Sequence, residues 1–200
     1  MKLSELVLAT RTVRRFQEGR AVSPVLLREL VDLARQTASA GNFQPLRYIL
    51  SSDAATNERI FSRLVWAAYL KDWTGPQPGE RPAAYVVVCA DRERASYAQV
   101  DAGIASQTML LAARAEGLGG CMLGAVDRDG LRAELDIPES VDILYVLALG
   151  EPAEEVVLEP LSGDGSVQYW RDAQGVHHVP KRGLDELILA AYDRETVEKE

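Results

Sequence analysis

The sequence predicts an α+β domain in which helices flank a central sheet, and three stretches carry that expectation. Ala84–Ala90 is an unbroken apolar run, Ala-Tyr-Val-Val-Val-Cys-Ala, preceded by Pro82 and stopped by Asp91, which reads as a strand buried on both faces. Asp101–Glu116 is apolar around the full helical turn, with few charges until its end, so it needs cover on every side. Ser23-Pro24 is a helix-start signal, an N-cap followed by a proline whose missing N–H costs nothing there, and Leu26, Leu27, Leu30, Val31 and Ala34 follow at helical spacing. With 200 residues, 47% of them hydrophobic, the chain can build one sizeable core, and no Ser/Pro/Gly-rich linker divides it. A single domain over residues 1–200 is expected.

In chain order, Leu3–Ala9 reads as a short helix with Leu3, Leu6 and Val7 on one side. The helix after Ser23 should run to Thr37 or Ala38 and break into a polar turn, Ser39 to Pro45, before a strand from Arg47 to Ser51. Asn57–Leu70 has helical character, with Ile60, Leu64 and Ala67 on one face. Trp66, Tyr69 and Trp73 form an aromatic edge beside the loop Thr74–Gly79, and both core packing and a lid over a planar ring fit that edge. After the 84–90 strand and the 101–116 helix, Gly117-Leu118-Gly119-Gly120 punctuates, and Cys121–Ala125 extends as a strand. Asp127 starts a short helix through Leu135, Ile143–Leu149 is another buried strand, and Gly150 closes it. Beyond Pro152 the composition turns irregular and acidic. Val167–Arg171 alternates like a strand, Asp172–Gly175 turns, and Val176–Val179 returns. Pro180-Lys181-Arg182-Gly183 opens a last helix, Leu184–Tyr192, so that residues 183–200 form a C-terminal helix and frayed tail.

Composition excludes several classes of function. The net charge of −8 disfavours general affinity for nucleic acid or anionic membrane, so the cations of Arg11-Thr12-Val13-Arg14-Arg15-Phe16 must serve a local purpose. Cys89 and Cys121 each lie in an apolar run without metal-ligand spacing, which points to buried free thiols and a reducing cytoplasm. No apolar run approaches the ~18 residues of a membrane span. His177 and His178 fall on opposite faces of a strand without further ligands, so no metal site is expected. The Gly117–Gly124 stretch is ordered helix, glycines, strand, whereas a dinucleotide fingerprint needs strand, glycines, helix, and position 122 is Met. A Gly-x-Ser-x-Gly elbow and a His/Cys cluster are both missing, which leaves a hydrolase or metal enzyme poorly supported.

Four features remain: the arginines near the N-terminus, the turn Ser39-Ala40-Gly41-Asn42-Phe43-Gln44-Pro45, a glycine-flanked strand, and the basic pair Lys181-Arg182. Guanidinium forks suit a phosphate, amide and hydroxyl groups suit a polar ring edge, and Gly41 allows close backbone approach. The arginine segment and the turn, in this order, resemble the signature of the nitroreductase-like flavoenzymes, and the likeness continues through Gly117–Gly124 and Pro180–Arg182. The resemblance implies a nitroreductase-like sandwich, a mainly antiparallel sheet flanked by helices, in a homodimer holding two FMN at its interface. It implies that Arg11 and Thr12 bind the phosphate side and that Arg14 lies near the N1/C2 edge of the ring. Ser39, Ala40, Asn42 and Gln44 would reach the same flavin from the other subunit, Leu123 and Gly124 would present backbone to the ring, and Lys181 and Arg182 would complete the phosphate cradle. Thr10 stands where many relatives have a further arginine, and Leu46 where an aromatic often follows Gln-Pro. Arg15 is expected to be solvated or paired with an acid, and Phe16 to be core. The activity implied is FMN-dependent oxidation of NADH or NADPH with a nitroaromatic, quinone or other electron-poor small molecule as acceptor, in ping-pong order. A flavin-binding or sensing protein without turnover, and a reductive dehalogenase or flavin-fragmenting enzyme, would share the cofactor contacts. From pattern alone the 101–116 helix finds its cover either in a second subunit or in one monomer's core.

Overall fold

Strands with apolar side chains on both faces organise the molecule, described here from a computed structural model over residues 2–192. The chain forms two compact units, Met1–Glu155 and Val156–Glu200, and the single domain expected over 1–200 stands beside that division. The first unit contains α1 (Leu3–Ala9), α2 (Pro24–Ala34), β1 (Leu46–Ser51), α3 (Ala54–Phe61), β2 (Ala84–Asp91), α4 (Ala98–Ala115), β3 (Gly119–Leu123), α5 (Arg128–Glu134) and β4 (Val141–Gly150). Its sheet has the order β1-β2-β4-β3 and every pairing is antiparallel. One face, with Val86, Val88, Leu147 and Leu149, is covered by Leu27, Leu30 and Ala34 of α2 and by Ala102, Ala105 and Met109 of α4. The other, with Tyr85, Val87, Cys121 and Val146, is covered by Phe16, Ile60, Trp66 and Leu131. Alternate residues of β2 thus feed two cores, which is why the strand is an unbroken apolar run.

The α+β class and the antiparallel sheet are as expected, and several boundaries differ. Ser23 caps α2 by accepting from the Val25 N–H at 3.2 Å, but α2 ends at Ala34, where Thr37 Oγ1 folds back onto the Ala34 carbonyl at 2.6 Å. The helix expected over 57–70 instead spans Ala54–Phe61. Asp53 caps its start, Leu64 then bridges to Val126, and Ala67 takes a left-handed φ of 41° that a helix cannot continue through. The strand after α4 starts at Gly119 rather than Cys121. Gly120 lies where a Cβ would stand 2.5 Å from Leu110, 2.8 Å from Leu149 and 2.9 Å from the Ala148 carbonyl oxygen, so it is required for α4 and β4 to close on β3. Gly120→Val should therefore lower unfolding stability by about 3 kcal/mol or more, the upper range for overpacking, measured by chemical denaturation.

The second unit holds β5 (Val156–Pro160), β6 (Trp170–Arg171), β7 (His177–Lys181) and α6 (Leu184–Leu187), with strand order β5-β7-β6. β5, in the stretch read as irregular, runs parallel to β7. The strand-like 167–171 segment reduces to two residues, because β6 faces β7 at His177 and His178 alone. β7 continues through Pro180 and Lys181 instead of opening a helix. Proline is tolerated there because β6 has ended and that edge needs no N–H. α6 stops at Leu187 rather than Tyr192, and the frayed stretch expected from Arg194 lies outside the described residues.

His178 is clamped in this unit. Its Nδ1 lies 3.1 Å from Glu159 Oε2, its Nε2 lies 3.3 Å from Asp172 Oδ2, and Trp170 stacks on its ring at 4.0 Å. Burial alone would lower the imidazole pKa, but the bonds to Asp172 and Glu159 outweigh it and raise the value above 6.5. Folding raises this pKa, so the clamp contributes fully below the unfolded value and its contribution fades as pH rises through the folded one. An NMR titration should place His178 above 6.5, and His178→Gln should flatten the pH dependence of β7 amide exchange.

Candidate functional site

The arginine segment adds a fifth position to the sheet. Thr12 forms a parallel bridge with Gly120, and the Val13 N–H donates to the Gly120 carbonyl at 2.9 Å, on the β3 edge away from β4. The Arg14 and Arg15 N–H groups both donate to Glu154 Oε1, the second at 3.1 Å, which fixes the backbone beneath two cations. Arg15 pairs with Glu80 at 3.4 Å and Phe16 is fully buried, in line with the expectation for each. Arg11 is half-buried and its Nη2 donates to the Val7 carbonyl at 2.6 Å. Its Nε is buried with no hydrogen-bond partner among the described residues, and burial lowers its pKa. A partly desolvated guanidinium with a spare donor is a receptor for an anionic or strongly accepting group.

Arg14 acts on the same strand. Burial pushes the Cys121 thiol up to about 11, while Arg14 pulls it down and Glu154 pushes it up. At the end of β3, Leu123 is buried and Gly124 is exposed. A Cβ on Gly124 would touch no more than the Tyr145 ring, at 3.8 Å, so this backbone is approachable where Gly120 is not. Arg11, Thr12, Arg14, Leu123 and Gly124 are thus brought to one edge of the sheet.

Ser39, Ala40, Asn42 and Gln44 are brought together elsewhere, in the turn that enters β1 at the opposite edge. Gly41, Asn42 and Gln44 take left-handed φ values of 55°, 55° and 48°, a costly conformation for the two that carry side chains. Asp101 of α4 holds the turn by accepting from Ser39 Oγ at 2.5 Å and from the Ala40 N–H at 3.1 Å, while Ser39 Oγ accepts from the Gln44 N–H at 2.9 Å. Gln44 Nε2 donates to Asn42 Oδ1 at 3.0 Å. Asn42, Phe43 and Gln44 remain exposed. Beside them opens a cavity of about 250 Å³ lined by Ser39, Asn42, Gln44, Tyr48, Asp101 and Arg47 among others. Burial, with the charge of Asp101, pushes the Tyr48 phenol up to about 12.

The two clusters sit on opposite edges of the sheet, with Thr12 level with Gly120, Leu149 and Ala84, toward the end where β1 finishes at Ser51. Leu123 is level with Val146, Val87 and Ile49, so Gly124 heads toward the end at which the turn joins Leu46. From the arginine segment through β3, β4 and β2 to β1 are four strand spacings of about 4.8 Å, roughly 19 Å in all. In the second unit, Lys181 ends β7 and Arg182 pairs with Glu186 at 3.6 Å, both exposed.

Sequence reasoning missed Asp101, Tyr48 and Glu154. Asp101 carried one usable signal, an acid facing the apolar side of a helix with no cation at helical spacing beside it. Glu154 carried none, because backbone amides, as at Arg14 and Arg15, leave no mark on a sequence.

The model of the nitroreductase family matches residues 7–151. A protein of Thermus thermophilus named NADH dehydrogenase is 30% identical over 176 residues, 74% of this chain and 85% of that protein. An NADPH-flavin oxidoreductase of Vibrio harveyi is 23% identical over 209 residues, 96% of this chain and 83% of that protein. The crystal structure of a nitroreductase family protein from Clostridium difficile superposes with a TM-score of 0.63 at 22% identity, covering 77% of this chain and 86% of its own, and so shares the fold.

Proposed function

This chain belongs to the nitroreductase family, and from that premise we propose that it is an NAD(P)H-dependent oxidoreductase that holds FMN between two copies of itself. The observation that carries the reading is the placement of its two ligand-type clusters on opposite edges of one sheet, roughly 19 Å apart by strand count. One flat cofactor meets both when the arginine edge of one copy faces the exposed turn of another.

In this reading Arg11 and Thr12 hold the phosphate, and Arg14 stands at the pyrimidine edge. Leu123 and Gly124 offer approachable backbone, and Ser39, Ala40, Asn42 and Gln44 come from the second copy. The spare, desolvated Arg11 Nε fits an anionic group. The chemistry FMN supplies when bound is two-electron transfer, from NAD(P)H to an electron-poor acceptor such as a nitroaromatic or quinone. The chain's own part is electrostatic: Arg14 favours electron density at the ring edge, and no side chain is needed as nucleophile. The second copy would lie on α4, where Val100 and Ile104 face outward, and on α1, where Leu3, Val7 and Leu8 are exposed.

The test is an absorption spectrum of freshly purified protein, followed by steady-state NAD(P)H oxidation with a quinone. Flavin bands and parallel double-reciprocal lines are expected. Protein that takes up no FMN would overturn the reading, and flavin bound without NAD(P)H oxidation would favour a binding or sensing role.

A further inference from the structure

The turn that enters β1 is strained, and what holds it comes from a distant helix. Two of its residues with side chains, Asn42 and Gln44, sit in the left-handed region, a conformation that persists when the surroundings over-determine it. The determining group is Asp101, 4% exposed on the first turn of α4. Oδ2 accepts from the Ser39 hydroxyl and Oδ1 from the Ala40 amide, and the Ser39 oxygen passes the restraint on by accepting from the Gln44 amide. A carboxylate in the first turn of a helix also lies in the favourable field of the helix N-terminus.

We propose that Asp101 is a positioning residue for cofactor binding: its carboxylate holds Ser39, Ala40, Asn42 and Gln44 in the one arrangement that can grip FMN carried by the other copy. This rests on the reading of the turn as an FMN contact. Asp101 touches no ligand in this account and acts through Ser39. Its placement on α4, the helix assigned to the interface, ties the turn to the surface on which the partner sits, so that the grip is set by the same element that sets the docking.

The test uses the full chain with Asp101→Asn, Asp101→Ala, Ser39→Ala and the Asp101→Ala/Ser39→Ala double variant. Three quantities are read: amide hydrogen exchange of residues 39–45 in the apo protein, the FMN Kd by flavin fluorescence, and the apo Tm. Asp101→Ala should speed exchange of the turn about tenfold or more with little change in the centre of α4, and should raise the Kd about 30-fold, as loss of bonds to a charged group does. Asp101→Asn keeps an acceptor for the Ala40 N–H and should recover part of both effects. In the Ser39→Ala background the Asp101→Ala effect on Kd should shrink to about threefold or less, because the two act as one unit. A merely structural acid would lower Tm without this coupling. Unchanged exchange at 39–45 in folded Asp101→Ala protein, or faster exchange with an unchanged Kd, would overturn the proposal. Failure of the unsubstituted protein to bind FMN would instead strike the cofactor reading beneath it, and the proposal with it.

Discussion

Arg14→Ala should bind FMN about 100-fold more weakly than the unsubstituted protein and, once loaded, should show a midpoint potential lower by about 30 mV or more. The cationic side chain extends from a backbone fixed on both sides, by the Val13–Gly120 hydrogen bond and by Glu154 on the Arg14 amide, so its Cα is held before any ligand arrives. A hydrogen bond from such a cation contributes about 1.5–3 kcal/mol, which spans roughly ten- to 150-fold in affinity. A positive charge at this edge would act on a ring lying over β3. For a two-electron couple, 1.4 kcal/mol of lost preference for the electron-rich form is about 30 mV. Arg14→Lys keeps the charge and loses the planar fork, so it should retain more of the potential than of the affinity. Fluorescence titration and dye-coupled redox titration measure the two. Unchanged affinity and potential in Arg14→Ala would place the flavin elsewhere.

Ile104→Glu should convert a dimer into a folded monomer that no longer retains FMN. Ile104 is 38% exposed on the outer side of α4, near Val100 at 57%, while Ala102, Ala105, Ser106 and Met109 on the inner side are buried. A carboxylate introduced there stays solvated in an isolated chain and costs several kcal/mol if a second copy is to cover it. The apo Tm should move little, because Ile104 lies on the solvent side of its own subunit. Sedimentation velocity and the flavin content of the purified protein give the readouts. A variant that stays dimeric and yellow would remove α4 from the interface.

Much of the fold was legible because its strongest determinants are local. A strand apolar on both faces, as in β2, cannot be mistaken for a solvated edge, and Ser23-Pro24 caps α2 by interactions within three residues. The failures share a cause. The periodicity of Ile60, Leu64 and Ala67 favours one continuous helix, yet Leu64 is claimed by Val126, more than sixty positions away. β5 owes its existence to β7, about twenty residues later, and Val-Val-Leu-Glu-Pro gives little sign of it by itself. Candidate contact residues were readable from motif resemblance. The scaffolding behind them was not: Asp101 beneath the turn and Glu154 beneath the arginines bond to backbone or to a single hydroxyl, and such pairings leave no spacing pattern in a sequence.

The strand order has one more consequence. The arginine segment covers the outer edge of β3, but β1 ends the sheet with no strand paired beyond it among the described residues. Its sequence, Leu-Arg-Tyr-Ile-Leu-Ser, is the kind of short β-prone stretch that can template growth of a foreign strand. Arg47, exposed and ion-paired to Asp91 at 2.5 Å, puts a charge on that rim. Such a charge at the rim of an edge strand works against the addition of a foreign strand there.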